Sequence, residues 1–319
     1  MFNSPLRYPG GKNKLSAFFA RLCIENNVSG HYIEPYSGGA SIALFLLMEN
    51  IVRRITINDK DRSIYAFWFS VLNHTEELCK LIIETDVTIE NWEIQKSVQA
   101  KKETCDILDL GFSTFFLNRT NRSGIINGGI IGGKKQKGKY KIDCRFNKKE
   151  LISRIRTIAN LKDRINLYQM DAILLIDKIE RENMDSNTIF YFDPPYYLKA
   201  NSLYMNHYKI ENHLAVSERI KKISNIKWVV SYDNVPEIQF LYNDCKKKEY
   251  SFKHTAGVSK VGNELLYFSP TLQEPKIEDW DPLKFKIIRN KSDNRLRKVN
   301  YKGNRDQGLL FQTTLGFDL

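Results

Sequence analysis

The sequence predicts an α/β protein: a doubly wound, Rossmann-like parallel sheet interrupted by a helical and loop insertion. Three observations lead there. Thr188 to Phe192 is an unbroken run of β-branched and aromatic residues, which suits a strand covered on both faces. Other strand-length runs, His31 to Glu34, Arg54 to Asp59, Arg164 to Asp171 and Lys227 to Tyr232, alternate with helical periodicity, as βαβ units require. A glycine turn follows the first of these, and an acid closes the second about twenty residues later, the layout of a nucleotide site. At 319 residues the chain can hold one large α/β domain with an insertion, or two domains.

Taken in order, Phe2 to Lys12 is an extended, proline-punctuated segment leading into a helix near Asn13. Gly10 and Gly11 let the backbone pass close to a ligand, and Lys12 can meet a carboxylate or phosphate; a capped surface loop fits equally well. The strand ending at Glu34 runs through Pro35, Tyr36 and Ser37 into Gly38 and Gly39, then into an apolar helix to Met48. Glycine is expected there so that backbone N–H groups and the helix terminus face a ligand. Asp59 then either grips two ribose hydroxyls or caps the helix Arg62 to Leu72.

Residues 73–102 read as mostly helical, with Trp92 a packing residue. From Gly111 to Gly124 an aromatic core segment gives way to polar side chains able to contact bases. Gly128, Gly129, Gly132 and Gly133 are expected to bound a mobile stretch. The basic run after it, Lys134, Lys135, Lys137, Lys139, Lys141, Arg145, Lys148 and Lys149, is interleaved with Tyr140 and Phe146, which suits a phosphate backbone with room for stacking. A solvated basic face is the plainer reading.

Leu151 to Leu161 is helical, and Asp171 after the next strand either receives an adenine amino group or caps a helix. At Asp193-Pro194-Pro195-Tyr196 the central strand stops, because proline supplies no N–H. A carboxylate oxygen and a carbonyl in a rigid turn can accept hydrogen bonds from one planar amino group while an aromatic ring stacks beside it. That arrangement suits amino methylation, although a solvated proline turn has the same sequence. Leu198 to Tyr208 reads as a lid, Glu211 to Ile223 as a helix, and Glu264 to Phe268 as the final strand. Lys246, Lys247, Lys248, Lys253 and Lys260 read as a second basic patch. Thr271 to Leu319 is expected to be a partly ordered basic extension, its Lys284 to Arg305 part lying on DNA, on a partner or in solvent.

The net charge of +12 favours a polyanionic partner. Five dispersed cysteines without Cys-x-x-Cys spacing, and no His-x-x-x-His pair, point to a reducing cytoplasm and to no metal. No apolar run is long enough to span a bilayer.

Tyr8-x-Gly-Gly-Lys12, Glu34-Pro35-x-x-Gly-Gly39, Asn58-Asp59, Asn118-Arg119 and Asp193-Pro194-Pro195-Tyr196, in this order, resemble the Dam-type DNA adenine methylases, the class alpha adenine-specific DNA methyltransferases. The resemblance covers about residues 4–269. It implies an S-adenosylmethionine-dependent methyltransferase sheet, with residues 1–72 and 151–269 forming the catalytic domain, 73–150 a target-recognition insertion and 270–319 an extension. It carries Tyr8, Lys12, Glu34, Pro35, Gly38, Gly39 and Asp59 to cofactor binding; Asp193, and Asp171 from its own place after the third strand, are expected at the cofactor as well. Tyr8 and Pro9 replace the family's common Trp and Ala. Asp193, Pro194, Pro195 and Tyr196 become the catalytic set. Arg7, Asn118, Arg119, Asn121, Arg122, Lys134, Lys135, Lys137, Lys139 and Tyr140 are the expected DNA contacts.

The recognition segment departs most from the family pattern, which leaves the target sequence open, and Asn212-His213 replaces an acid-His pair and is read as structural. The implied reaction is methyl transfer to the 6-amino group of an adenine flipped out of double-stranded DNA, without metal. A monomer or weak dimer, and a cognate restriction endonuclease acting separately, are compatible with it. The competing readings are methylation of an RNA adenine or of cytosine's amino group, a catalytically silent DNA-binding module, and a nicotinamide-dependent enzyme. An incomplete glycine fingerprint disfavours the last.

Overall fold

The computed structural model describes residues 4–7, 11–182, 187–197, 208–253, 261–277, 280–290, 296–302 and 309–310. After a short turn, α1 (Ser16–Glu25) leads to β1 (His31–Glu34), α2 (Ser41–Met48), β2 (Arg54–Asn58) and α3 (Arg62–Asn73). The helices α4 (Thr75–Glu84), α5 (Ile89–Ala100) and α6 (Ile107–Thr120) and a long loop come before α7 (Lys148–Ala159). Then follow β3 (Ile165–Tyr168), α8 (Ala172–Arg181), β4 (Thr188–Phe192), α9 (Ile210–Lys221), β5 (Lys227–Asp233), α10 (Pro236–Leu241), β6 (Lys246–Lys253) and β7 (Val261–Phe268).

These seven strands form one sheet in the order β3-β2-β1-β4-β5-β7-β6. The first five are parallel, and β7 runs antiparallel between β5 and β6. The strand runs work as expected for a sheet buried on both faces. Tyr32, Ile189, Tyr191 and Val229 join the core beneath α1 and α2. Their neighbours Ile33, Phe190, Phe192 and Val230 join the opposite core, beneath α8, α9 and α10. Strand order reverses between β1 and β4, so the crevice for a ligand lies beyond their carboxyl ends. Among the described residues no helix is long and apolar enough to cross a membrane.

The inserted helices have no separate core. Phe115 of α6 stacks on Phe67 of α3 with ring centroids 5.9 Å apart. Gly111 lets the two helices meet, since a Cβ there would stand 2.3 Å from Ser70 Oγ and 2.6 Å from the Ala66 carbonyl. The glycine-bounded stretch expected to be mobile is closed by hydrogen bonds. Arg122 N–H donates to the Gly129 carbonyl at 2.9 Å, Ile131 N–H to Thr120 at 2.9 Å and Gln136 N–H to Gly133 at 2.9 Å.

Toward the carboxyl end the expected basic patch lies partly on a strand, and one expectation fails. The lysines at 246–248 begin strand β6, which turns Tyr250 inward while Lys246, Lys247 and Lys248 stay exposed on an edge, a placement that protects an edge from pairing. The failure is that β7 is not the final strand. Thr271 onward contains β8 (Phe285–Arg289), β9 (Leu296–Tyr301) and β10 (Leu309–Leu310), a three-stranded antiparallel sheet. Its few apolar residues suffice because they alternate and share one target. Phe285 meets Phe18 of α1 at 5.5 Å and Tyr301 at 5.0 Å, and Val299 is fully buried. Arg289, expected to lie within a DNA-facing strip, pairs with Glu49 at 2.9 Å.

Candidate active site

The strand ends are tied to one another before they can serve a ligand. Asn58, fully buried at the end of β2, donates to the Pro35 carbonyl at 2.8 Å and to Met170 at 3.0 Å, locking the loops after β1 and β3. Glu34 Oε1 accepts from Tyr32 Oη at 3.0 Å and from Ala43 N–H at 3.1 Å. The latter is one of the first-turn N–H groups of α2 that have no intrahelical partner. Burial pushes the Glu34 carboxyl up to about 8, with those two donors pulling it back.

Gly38 and Ala40 both take positive φ, 44° and 47°, a turn that glycine makes most readily. The Gly38 N–H, expected to face a ligand, instead donates to Asp59 Oδ2 at 3.0 Å, and its carbonyl accepts from Trp68 Nε1 at 2.9 Å. Asp59 Oδ1 takes the Asp61 N–H at 3.0 Å. Burial, then the neighbouring Asp61 charge, push Asp59 up to about 7. The capping role considered for Asp59 belongs to Asp61, which accepts from Ser63 N–H at 2.8 Å at the start of α3.

A cavity of about 410 Å³ opens here, lined by Lys12, Glu34, Pro35, Gly39, Asp59, Asp193 and Pro195, with Tyr36 and Tyr208 joined at 2.9 Å on its wall. Asp171 is not in its lining. It caps α8 through Ile173 N–H at 3.0 Å and pairs with Lys60 at 3.0 Å; of its two readings, the geometry matches the cap.

Asp193 stands just past β4, a quarter of its side chain accessible. Its Oδ1 accepts from Ser231 Oγ at 2.7 Å and lies 3.6 Å from Lys12 Nζ. Burial pushes this carboxyl above the usual range, against the pull of Lys12 and Ser231. Lys12 is buried and donates to both oxygens of Glu264 at 2.7 Å and to Tyr196 Oη at 2.5 Å. Burial pulls its pKa down, but Asp193, Tyr250 and Glu264 together hold it well above the ordinary value. Tyr196 and Tyr250 both donate to Glu264.

The Tyr196 ring, expected to stack on a base, is 3% exposed and turned onto this network. Pro194 is buried within the same turn. Glu264, Tyr250 and Ser231 were not singled out in the sequence. The signal available was a lone acid, Glu264, directly before the apolar run Leu265 to Phe268.

The recognition residues divide into interior and surface. Asn118, 1% exposed, accepts from the Arg7 N–H at 2.7 Å and donates to the Arg7 carbonyl at 2.7 Å and to Gly124 at 2.9 Å. Asn121, fully buried, donates to Ile125 at 2.9 Å and Ile126 at 2.8 Å and accepts from Trp92 Nε1 at 2.6 Å. Both amides, expected to contact bases, are engaged inside the protein: Asn118 holds the Arg7 backbone and the loop, and Asn121 holds the loop. Trp92 is the packing residue expected, 4% exposed.

Arg122, Lys134, Lys135, Lys137, Lys139 and Tyr140 are exposed; Lys134 pairs with Glu93 at 2.7 Å. Arg7 and Arg119 line the cavity with Arg145 and Arg154. His213 is 1% exposed, packed against Tyr197, Tyr208 and Tyr232. Tyr8, Lys260 and residues 198–207 of the expected lid lie outside the described residues.

Type II methyltransferase M.MjaIII of Methanocaldococcus jannaschii is 23% identical over 206 residues, 60% of this chain and 68% of that protein. Among solved structures, the rRNA methyltransferase aviRa of Streptomyces viridochromogenes aligns over 80% of this chain and 85% of its own, at 9% identity and a TM-score of 0.36. Residues 8–258 match the family described as D12 class N6 adenine-specific DNA methyltransferase. With a match across most of its length, this chain belongs to that family of S-adenosylmethionine-dependent DNA methyltransferases.

Proposed function

We propose that the protein is a site-specific enzyme that methylates the 6-amino group of an adenine turned out of double-stranded DNA. The observation that carries this reading is the placement of Glu34 and Asp193 at the carboxyl ends of adjacent parallel strands, β1 and β4, opening with Asp59 into one cavity. A cavity of about 410 Å³ lies within the range of small-molecule sites. Its desolvated carboxyls, Glu34 and Asp59, suit a cationic ligand that draws them into the ionised state. S-adenosylmethionine fits this donor set and, when bound, supplies a methyl group on a positively charged sulfur.

Asp59 accepts the ribose hydroxyls, and Glu34 with the first turn of α2 faces the cofactor from β1. Lys12 contributes through its charge beside Asp193. Ser231 and Lys12 both engage Asp193 Oδ1, which directs Oδ2 and the Pro194 carbonyl to the two hydrogens of the target amino group. Both acceptors draw the nitrogen lone pair out of ring conjugation, and alignment with desolvation does the rest. Tyr196 packs beside the base after its ring is released from Glu264. Residues 1–72 and 151–269 form the catalytic domain in this reading, and 73–150 recognises the target. The β8 to β10 sheet buttresses α1. Asn118 and Asn121 act as supports for Arg7 and for the loop bearing Arg122 and the lysines. The enzyme works in the cytoplasm as a monomer or weak dimer, with any cognate restriction endonuclease acting separately.

The test is transfer from labelled S-adenosylmethionine to unmethylated duplex DNA, digested to nucleosides. N6-methyladenine is expected from the wild type, with a loss of at least about a hundredfold in Asp193→Ala and little change in DNA binding. Label in RNA alone, or equal turnover by the variant, would overturn the substrate or the catalytic assignment respectively.

A further inference from the structure

Four guanidinium groups from distant parts of the chain meet in the same cavity: Arg7 from the amino-terminal segment, Arg119 from α6, Arg145 from the loop after it, and Arg154 from α7. They run from interior to surface. Arg119 is 7% exposed, Arg7 and Arg154 are half-buried, and Arg145 is open to solvent. Arg154 is paired with Glu150 and donates to the Ser4 carbonyl at 3.5 Å, and Arg7 donates to the Asn121 carbonyl at 3.3 Å. Arg119 Nε, by contrast, is buried without a hydrogen-bond partner among the described residues.

A buried guanidinium with an unsatisfied Nε and three other arginines lining the same cavity costs free energy unless something anionic joins it. Burial, then the charges of Arg154 and Arg7, pull Arg119 down to about 9. Burial and Arg145 likewise lower Arg7. Glu150 opposes only part of this repulsion. The cluster is thus strained in the direction that an arriving anion relieves.

We infer that these four arginines form an anion subsite, anchored by Arg119, that receives a backbone phosphodiester of the DNA strand carrying the target base. This rests on the reading of the protein as a DNA methyltransferase. Phosphate is favoured over the carboxylate of the cofactor by the gradation from buried Arg119 to exposed Arg145, which leads from the cavity out to the surface where a DNA strand lies. Three of the four residues also come from the insertion and the helix that follows it, the part of the chain carrying the exposed lysines. Bidentate guanidinium contacts would fix the strand while its base enters the cavity beside Asp193.

The experiment measures duplex DNA binding across a salt series, and S-adenosylmethionine binding without DNA, for wild type, Arg119→Gln and Arg145→Gln. Arg145 is exposed, so its variant guards against a folding artefact at Arg119. Each variant is expected to weaken duplex binding by roughly tenfold and to reduce the log–log salt slope by about one, with cofactor affinity within about twofold of wild type. Lost cofactor affinity with an unchanged slope would assign the cluster to the cofactor's carboxylate and overturn the inference. Wild-type values in both measurements would overturn it as well. Failure of the underlying function looks different: wild type would bind duplex with the expected arginine dependence yet leave adenine unmethylated.

Discussion

Lys12 and Arg119 are both buried cations in one cavity, 8% and 7% exposed, with opposite surroundings. Lys12 is held by Glu264 and Tyr196 with Asp193 at 3.6 Å, and its pKa rises. Arg119 has an unpaired Nε and arginine neighbours, and its pKa falls to about 9. Burial alone therefore says little about a charge; the partners decide whether it belongs to the scaffold or awaits a ligand. Lys12 ties the amino-terminal turn to the segment after β4 and to β7, through Tyr196 and Glu264.

The sharpest way to break this contrast is to remove one charge from each side and measure stability by urea unfolding. Glu264→Gln leaves Lys12 without its nearest carboxylate and is expected to destabilise by about 3–5 kcal/mol, as broken buried pairs do. Arg119→Gln removes a cation whose Nε is already unpaired, so its stability should change little or rise. Equal losses would mean that Arg119 is as structural as Lys12. Replacing both partners, Lys12→Met with Glu264→Leu, should recover much of the single-variant loss while leaving Tyr196 unanchored and turnover low.

A smaller effect, and one that separates scaffold from ligand chemistry, is set by pH. Burial is the leading cause that raises Glu34 to about 8, and Asp59 and Glu264 to about 7. The folded chain therefore holds protons that the unfolded chain has released above the ordinary carboxyl range. Stability contributed this way is fully present below about pH 4 and is lost as pH rises through 7 to 8. Thermal melts should drift down across that window. Cofactor affinity should move the opposite way, because Asp59 accepts hydroxyl donors better when ionised. Asp59→Asn should flatten the second profile. A binding curve that stays pH-dependent in Asp59→Asn would move the ribose contact elsewhere.

The difference between Lys12 and Arg119 also marks what could be read without coordinates. Strand ends were legible because their chemistry is local: the run Thr188 to Phe192 stops at Asp193 and prolines, and Glu34 and Asp59 close β1 and β2. Glu264 was not, since its partners Lys12 and Tyr196 lie 252 and 68 residues away in sequence. The arginine cluster was hidden for the same reason, and Arg119 and Arg7 were expected at DNA without their convergence on one cavity. Asn118 and Asn121 misled because a polar residue at a helix end looks the same whether its amide faces a base or closes a loop. The carboxyl-terminal sheet was missed because β8 and β9 alternate apolar residues with lysine and arginine, and the charges dominate the composition.

The smallest effect belongs to the exposed lysines, and it tests whether the surface and the cavity act on DNA in different ways. Lys137 and Lys139 are exposed, whereas Lys134 is partly neutralised by Glu93 at 2.7 Å, an exposed pair of little intrinsic worth. Lys137→Ala and Lys139→Ala should each weaken duplex binding by only about two- to fivefold at low salt, on any sequence, and the loss should fade as salt screens the contact. Lys134→Ala should do less. Turnover at saturating DNA should hold, because a mobile ammonium on a loop adds attraction without fixing where the strand lies. Arginine variants in the cavity should instead reduce turnover with any DNA, since a misplaced phosphate leaves the target amino group out of line with Asp193. If the lysine variants also lowered saturated turnover, the loop would have to be part of the positioning machinery, and the division between a steering surface and an anchoring cavity would fail.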